Sequence, residues 1–465
     1  KNVMKELDVV GKVLKFVPCS SQALVVATLR LLFNLSFDAE IRERMLNAGM
    51  VVRLVGILKS PPLRARTLKL MYQLSVEDRF KAMISYTDGV PLLVSMVINF
   101  PQDKLPKELA ALAVNLSLTD KNCEMMVADR GLNHMMDRLA TTRDPLLFKI
   151  IRNISLWTHC IQTEMDEGNM GYQYRGLWSP HIKVLLEIIY STDDHETLIE
   201  AFGTLANLTP LDLPQNQSWS RLLRDDDFFG LVSRMLVPGI CQNDMLLEVV
   251  LLLSSIAGDT MALSVLVKTN VISQLYTLWQ EKSAGDTELC LQMIHLFHKL
   301  LMHEDCREEV MYSTRVVIDI IDKLNHRNRA VRSAAGKATE LVMELDRRKE
   351  TGELGDLGLQ IRKKRFEGYN RSWMAVLDSD IGGAGGEGSM RDMGYFDDDD
   401  EAVNDGSMDW GSLMESRQRL TLEMNELERG GGVRAGGEAM RDSFYDNEDS
   451  GGASKEDEDW YNQFT

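Results

Sequence analysis

A five-residue signature, apolar–x–amide–apolar–Ser/Thr, returns along most of this chain and constrains its fold more than any other feature. It reads Leu32-Phe33-Asn34-Leu35-Ser36, Met71-Tyr72-Gln73-Leu74-Ser75, Ala113-Val114-Asn115-Leu116-Ser117, Ile151-Arg152-Asn153-Ile154-Ser155 and Leu205-Ala206-Asn207-Leu208-Thr209. Successive central amides lie 39, 42, 38 and 54 positions apart. Self-similarity at such a period describes stacked units, each of which buries its apolar face only against its neighbours.

The unit between two signatures reads as three helices. A short amphipathic stretch, Ile41 to Leu46, ends in Asn47-Ala48-Gly49, where Gly49 can take the left-handed conformation that stops a helix. A second helix is expected over Met50–Leu58, and Pro61-Pro62 then breaks the pattern and opens a third helix running to Gln73-Leu74-Ser75. The glycine turn recurs at Gly89, Gly131 and Gly230. Weaker second helices are expected over 271–279 and 316–324, and weaker third helices over 246–257, 287–301 and 330–345. About eight third-helix segments result, the first and last being partial. A period of roughly 40–47 residues in an all-helical pattern is that of armadillo or HEAT repeats, and the Asn-centred ending selects armadillo. The expected fold is therefore all-α: an armadillo-repeat right-handed superhelix over 1–348, a linker and basic/aromatic helix over 349–377, and an acidic Gly/Asp-rich tail over 378–465.

Charge supports that division. Of 70 Asp/Glu and 52 Lys/Arg, 24 and 7 lie from Asp378 onward, leaving 46 and 45 in the rest. A near-neutral body thus carries a tail of net charge −17. A tail this polar cannot offset its ordering entropy and is expected to be disordered. The balance argues against nucleic acid as a partner, which requires clustered cations. Six cysteines without a Cys-x-x-Cys pair read as separate thiols in a reducing compartment. No charge-free apolar run of about 18 residues suggests membrane insertion, and no signal peptide is evident. The chain opens at Lys1 in what reads as the middle of a repeat, so a C-terminal piece of a longer protein is expected.

Partner-binding candidates follow from register. Asn34, Gln73, Asn115, Asn153 and Asn207 form a row along the concave face, where amides can clamp an extended peptide backbone or satisfy the neighbouring repeat. One turn earlier stand Arg30, Lys69 and Lys149, with Ala111 and Gly203 in the other two places. These cations suit either a groove for acidic segments or a solvated helix face, and the acidic tail could fold onto them. The 54-residue interval contains an insertion, 164–180, bearing Tyr172, Tyr174 and Trp178, either a packed loop or a partner-contacting one. Beyond the repeats, Phe366, Tyr369 and Trp373 alternate with Arg and Lys, as in a helix docked on the last repeat or one binding a membrane surface or calmodulin; the docked helix is the favoured reading. In the tail, 413–429 has a helical apolar pattern, and Trp410 and Trp460 sit among acids as in short docking motifs or plain solubilising sequence. His295, His298 and His303 with Cys290 and Cys306 match no zinc spacing, and no phosphate-loop, dinucleotide, zincin or nucleophile-elbow motif occurs. No enzymatic activity, metal or cofactor is expected.

The Asn-Leu-Ser endings, the Gly-turned second helices and the closing Arg362-Lys363-Lys364-Arg365-Phe366…Tyr369-Asn370-Arg371-Ser372-Trp373 segment resemble the kinesin-associated protein family. The resemblance covers Lys1 to about Leu377. It implies a non-catalytic accessory subunit of heterotrimeric, class II kinesin. Its armadillo superhelix would hold the tails of the motor heavy-chain heterodimer and link them to cargo such as intraflagellar transport trains. The implied setting is the cytoplasm and cytoskeleton, and the cilium or flagellum. Importin-alpha-like carriers place Trp four residues before the groove Asn; Arg30, Lys69, Ala111, Lys149 and Gly203 depart from that pattern. A catenin-like armadillo scaffold for signalling or adhesion partners is the alternative.

Overall fold

The computed structural model describes residues 8–163, 171–214, 217–223, 228–349, 358–368 and 370. Every regular element among them is helical, and they fall into two compact units. Of the described residues, the first holds 8–163, 171–173 and 183–204, and the second 174–182, 205–214, 217–223, 228–349, 358–368 and 370.

In the first unit, a third helix at Gln22–Leu35 precedes three complete triplets. These are Ala39–Asn47, Met50–Leu58 and Arg64–Leu74; Asp78–Ile84, Gly89–Ile98 and Lys107–Leu116; and Asp120–Val127, Gly131–Thr142 and Pro145–Thr163. Consecutive third helices pack on one another. The second unit repeats the scheme with Trp219–Leu222, Phe228–Met235 and Asn243–Ile256; then Thr260–Val267, Val271–Lys282 and Thr287–Met302; then Glu304–Glu308, Val316–Lys323 and Arg329–Lys349. Each unit is a stack of armadillo repeats.

Local chemistry explains the boundaries. Asp38 caps the first helix of its triplet by accepting from the Ile41 amide at 3.2 Å. Asp286 does the same for Thr287–Met302, accepting from Leu289 at 3.0 Å. Such caps satisfy one of the orphan donors of a helix start and contribute about 1 kcal/mol each. Pro61 and Pro62 form a 3-10 turn, Pro61–Leu63, that leads into Arg64–Leu74. The core is the signature's own apolar residue, since Leu35, Leu74, Leu116, Ile154 and Leu208 are all buried.

The glycine turns serve two different purposes. Gly49 has φ +75°, the left-handed stop expected from the sequence. At Gly131 the left-handed residues are instead Asp129 and Arg130, with φ of 50° and 65°. Glycine is required there because a Cβ would fall 2.0 Å from the Met126 carbonyl oxygen. Gly230 lies inside Phe228–Met235 and forms no turn.

Residues 358–368 form the helix after the last repeat. Ile361 is its buried anchor. Lys364 pairs with Asp322 and Arg365 with Glu340, both at 3.0 Å, and Asn325 Nδ2 donates to the Lys364 carbonyl at 3.4 Å. The helix is docked, yet not through the aromatic expected to carry it: Phe366 is 66% exposed. Aromatic spacing points to Phe366, whereas Ile361 and the flanking ion pairs set the orientation. Tyr369 and Trp373 lie outside the described residues.

Candidate partner-binding face

The row of signature residues is first a device joining repeats. Ser36, Ser75, Ser117 and Ser155 are buried, and each hydroxyl donates to the carbonyl three residues earlier, at 2.7–2.8 Å. For Ser36, Ser75 and Ser117, at the ends of their helices, that bond helps satisfy a carbonyl of the last turn, whereas Ser155 lies inside Pro145–Thr163. At Ser75 and Ser117 the same oxygen also accepts from the amide of the following repeat. Asn115 Nδ2 donates to Ser75 Oγ at 2.8 Å, and Asn153 Nδ2 to Ser117 Oγ at 2.9 Å and to the Val114 carbonyl at 3.4 Å.

The candidate amides therefore differ in what they offer a partner. Asn34 is exposed, while Gln73 and Asn153 are half-buried. Asn115 is 6% exposed and Asn207 is 1% exposed, which removes both from any uniform peptide clamp. Asn115 is enclosed against Arg64–Leu74 through Ser75, the alternative in which the amide satisfies the neighbouring repeat.

The cations one turn earlier are compensated in part. Lys69 Nζ stands 3.8 Å from Glu108 on the next third helix. Arg152 pairs with Glu200 at 3.3 Å, both side chains being mostly buried. Arg30 is exposed and Lys149 half-buried. The first unit's third-helix face thus presents cations, carboxylates and amides in alternation. Such a mosaic can match both charge and backbone polarity of an extended partner segment.

In the second unit, the amide's place in the register passes to Ser255, Lys299 and Lys337, a substitution the weaker sequence pattern concealed. Ser255 Oγ donates to the Leu208 carbonyl at 3.0 Å. Lys299 Nζ donates to the Ser254 carbonyl at 2.9 Å, near the C-terminal end of Asn243–Ile256 where a cation is favoured. Burial pushes the Lys299 ammonium down to about 8. Burial, then Lys337 and Lys299, lowers His298. Burial also raises the Cys306 thiol to about 11. Among the described residues no three His, Cys, Asp or Glu side chains are placed to hold a metal ion.

The insertion behaves as a packed loop where it is described. Gly176, at φ +69°, donates its amide to the Leu211 carbonyl at 3.1 Å. Trp178 is fully buried, so of the two alternatives for this residue its indole supplies core area and leaves no exposed surface for a partner. Tyr174 is half-buried, and the Tyr172 side chain lies outside the described residues.

Among solved structures, an engineered protein is similar at 15% identity and TM-score 0.49, over 77% of this chain and 98% of that one. A chain from a structure described as a phosphorylation switch controlling the interaction between cadherin and beta-catenin matches at 12% identity and TM-score 0.48, over 71% of this chain and 60% of that one. A designed armadillo repeat protein matches at 14% identity and TM-score 0.39, over 54% and 99%. The family model described as Kinesin-associated protein (KAP) matches residues 1–409, through every repeat and the docked helix. The chain belongs to the kinesin-associated protein family.

Proposed function

We propose that this protein is the non-catalytic accessory subunit of a heterotrimeric, class II kinesin, and that its third-helix faces hold the tails of the two motor heavy chains and connect them to cargo. The family match over residues 1–409 carries this reading, because it includes the repeats and the basic helix together. The mixed face around Asn34, Gln73, Lys149 and Asn153 supports it chemically. The exposed Asn34 and the half-buried Gln73 suit the backbone of an extended tail, and Arg30 and Lys149 suit its carboxylates. Cargo attachment, including to intraflagellar transport trains, and residence on the cytoskeleton and in the cilium or flagellum are parts of the same proposal.

Co-purification of the tagged chain from ciliary or cytosolic extract tests it. Recovery of two different class II heavy chains in equal amounts is expected, with capture reduced in a Lys149→Glu variant that retains its helicity. Recovery of adhesion or signalling proteins without any motor chain would instead identify a catenin-like scaffold.

A further inference from the structure

The cations of the helix over 358–368 divide into two sets. Lys364 and Arg365 face the last repeat and are paired there. Arg362 and Lys363 are exposed, and make no ion pair or hydrogen bond among the described residues. They stand between Leu359 and Phe366, each 66% exposed. Positions 359, 362, 363 and 366 follow the i, i+3, i+4, i+7 spacing, so these four side chains form one stripe. The other side of the helix is already occupied through Ile361. Two large apolar groups flanking two unpaired cations make a face matched to an aromatic residue followed by carboxylates.

The chain carries that combination a short distance downstream, in Tyr395-Phe396-Asp397-Asp398-Asp399-Asp400-Glu401. It is five acids in succession next to two aromatics. The connection from residue 370 contains Gly382, Gly383, Gly385, Gly386 and Gly388. A connection of about 25 residues can extend to about 80–90 Å, so it reaches back to the helix, and the tether makes the contact intramolecular, which favours even a weak one. The other cationic face considered for the tail is less suited, since Lys69 there is already beside Glu108. We propose that the stripe of Leu359, Arg362, Lys363 and Phe366 is a docking surface for the chain's own segment 395–401. The aromatics cover the apolar ends and the aspartates pair with the two cations. A partner that uses this helix must then displace the acidic segment first, whichever motor or cargo the repeats hold.

Hydroxyl-radical footprinting of the full chain tests the proposal, with Phe366 oxidation read by mass spectrometry. Wild type is compared with the D397N/D398N/D399N/D400N variant at low and high salt, and Tyr86, 91% exposed, serves as internal reference. Phe366 oxidation in the wild type at low salt is expected to be several-fold below that of the variant, with the gap closing as salt screens the pairing. The R362E/K363E variant is expected to match the tail variant, and tenfold dilution is expected to leave the gap unchanged. Equal, high oxidation in wild type and tail variant means the face is open and overturns the proposal. Equal, low oxidation means another segment covers it and overturns the assignment to 395–401. A gap that disappears on dilution assigns the contact to a second copy and overturns the intrachain docking.

Discussion

Removing the Ser75 hydroxyl probes the joint between repeats most sharply. Ser75 is 1% exposed; its oxygen donates to the Tyr72 carbonyl at 2.7 Å and accepts from Asn115 at 2.8 Å. Ser75→Ala deletes both bonds and leaves the Asn115 amide, itself 6% exposed, without its acceptor. A net hydrogen bond contributes about 0.5–1.5 kcal/mol, and an orphaned buried donor costs about 1–3 kcal/mol. The two effects overlap in the lost Asn115 bond, so the expected destabilisation is about 2–3 kcal/mol. Asn115→Ala removes the same pair from the other side and should cost a similar amount. Stacked repeats open locally as well as globally, so native-state hydrogen exchange of the amides in Lys107–Leu116 is the suitable assay. The double variant is expected to lose about 1 kcal/mol less than the sum of the single variants. Additivity within about 0.5 kcal/mol would show that the pair does not couple the repeats, and would refute the reasoning.

Lys299 gives a pH signature. Its folded-state value of about 8 lies below the ordinary 10.5. The unfolded chain therefore holds the proton between those values while the folded chain has released it, and stability rises with pH across that window. The cost of burying the charge is fully present below about pH 8, and on the order of 2–3 kcal/mol is recovered by pH 10.5. Lys299→Met should abolish that rise relative to wild type when thermal midpoints are compared across the window; parallel curves for the two proteins would contradict it. Trp178→Ala should destabilise the second unit by about 3–5 kcal/mol, seen as faster exchange in 205–256, whereas a change below about 1 kcal/mol would put the indole at the surface after all. Asn34→Ala, on an exposed amide, should change stability by less than about 0.5 kcal/mol in denaturant titration, and a larger loss would mean it joins a structural bond.

Much of the fold was legible because its determinants are local. The helix expected over Met50–Leu58 has those bounds, the left-handed stop falls at Gly49, and Pro61-Pro62 sit where the third helix is approached. The candidate face was legible in register but not in exposure. Asn34 and Asn115 occupy equivalent positions, yet one is exposed and the other enclosed, and only the neighbouring helix decides which. The signature's serine, as regular as its amide, was the available clue to the hydroxyl–amide joint. Basic residues were harder to read, because many are consumed by carbonyls. Arg53 reaches the Val17 oxygen at 2.7 Å, Arg42 the Ser36 oxygen at 2.9 Å and Arg307 the Leu301 oxygen at 2.8 Å. Charge counted along the sequence therefore overstates what a partner can meet. Lys299 and Lys337 were missed for the opposite reason: they hold the amide's register without resembling an amide.

The central claim is that the third-helix face holds the motor tails. Calorimetric titration of the purified full chain with the heterodimeric tail region of class II kinesin heavy chains tests it most directly. One chain is predicted to bind one heterodimer, with affinity lowered at least tenfold by Lys149→Glu, a loss of about 1.4 kcal/mol. The same substitution should leave the thermal midpoint unchanged, Lys149 being half-buried on that face. Saturable binding with identical affinity in wild type and variant would place the tails elsewhere, and absence of binding would contradict the account itself.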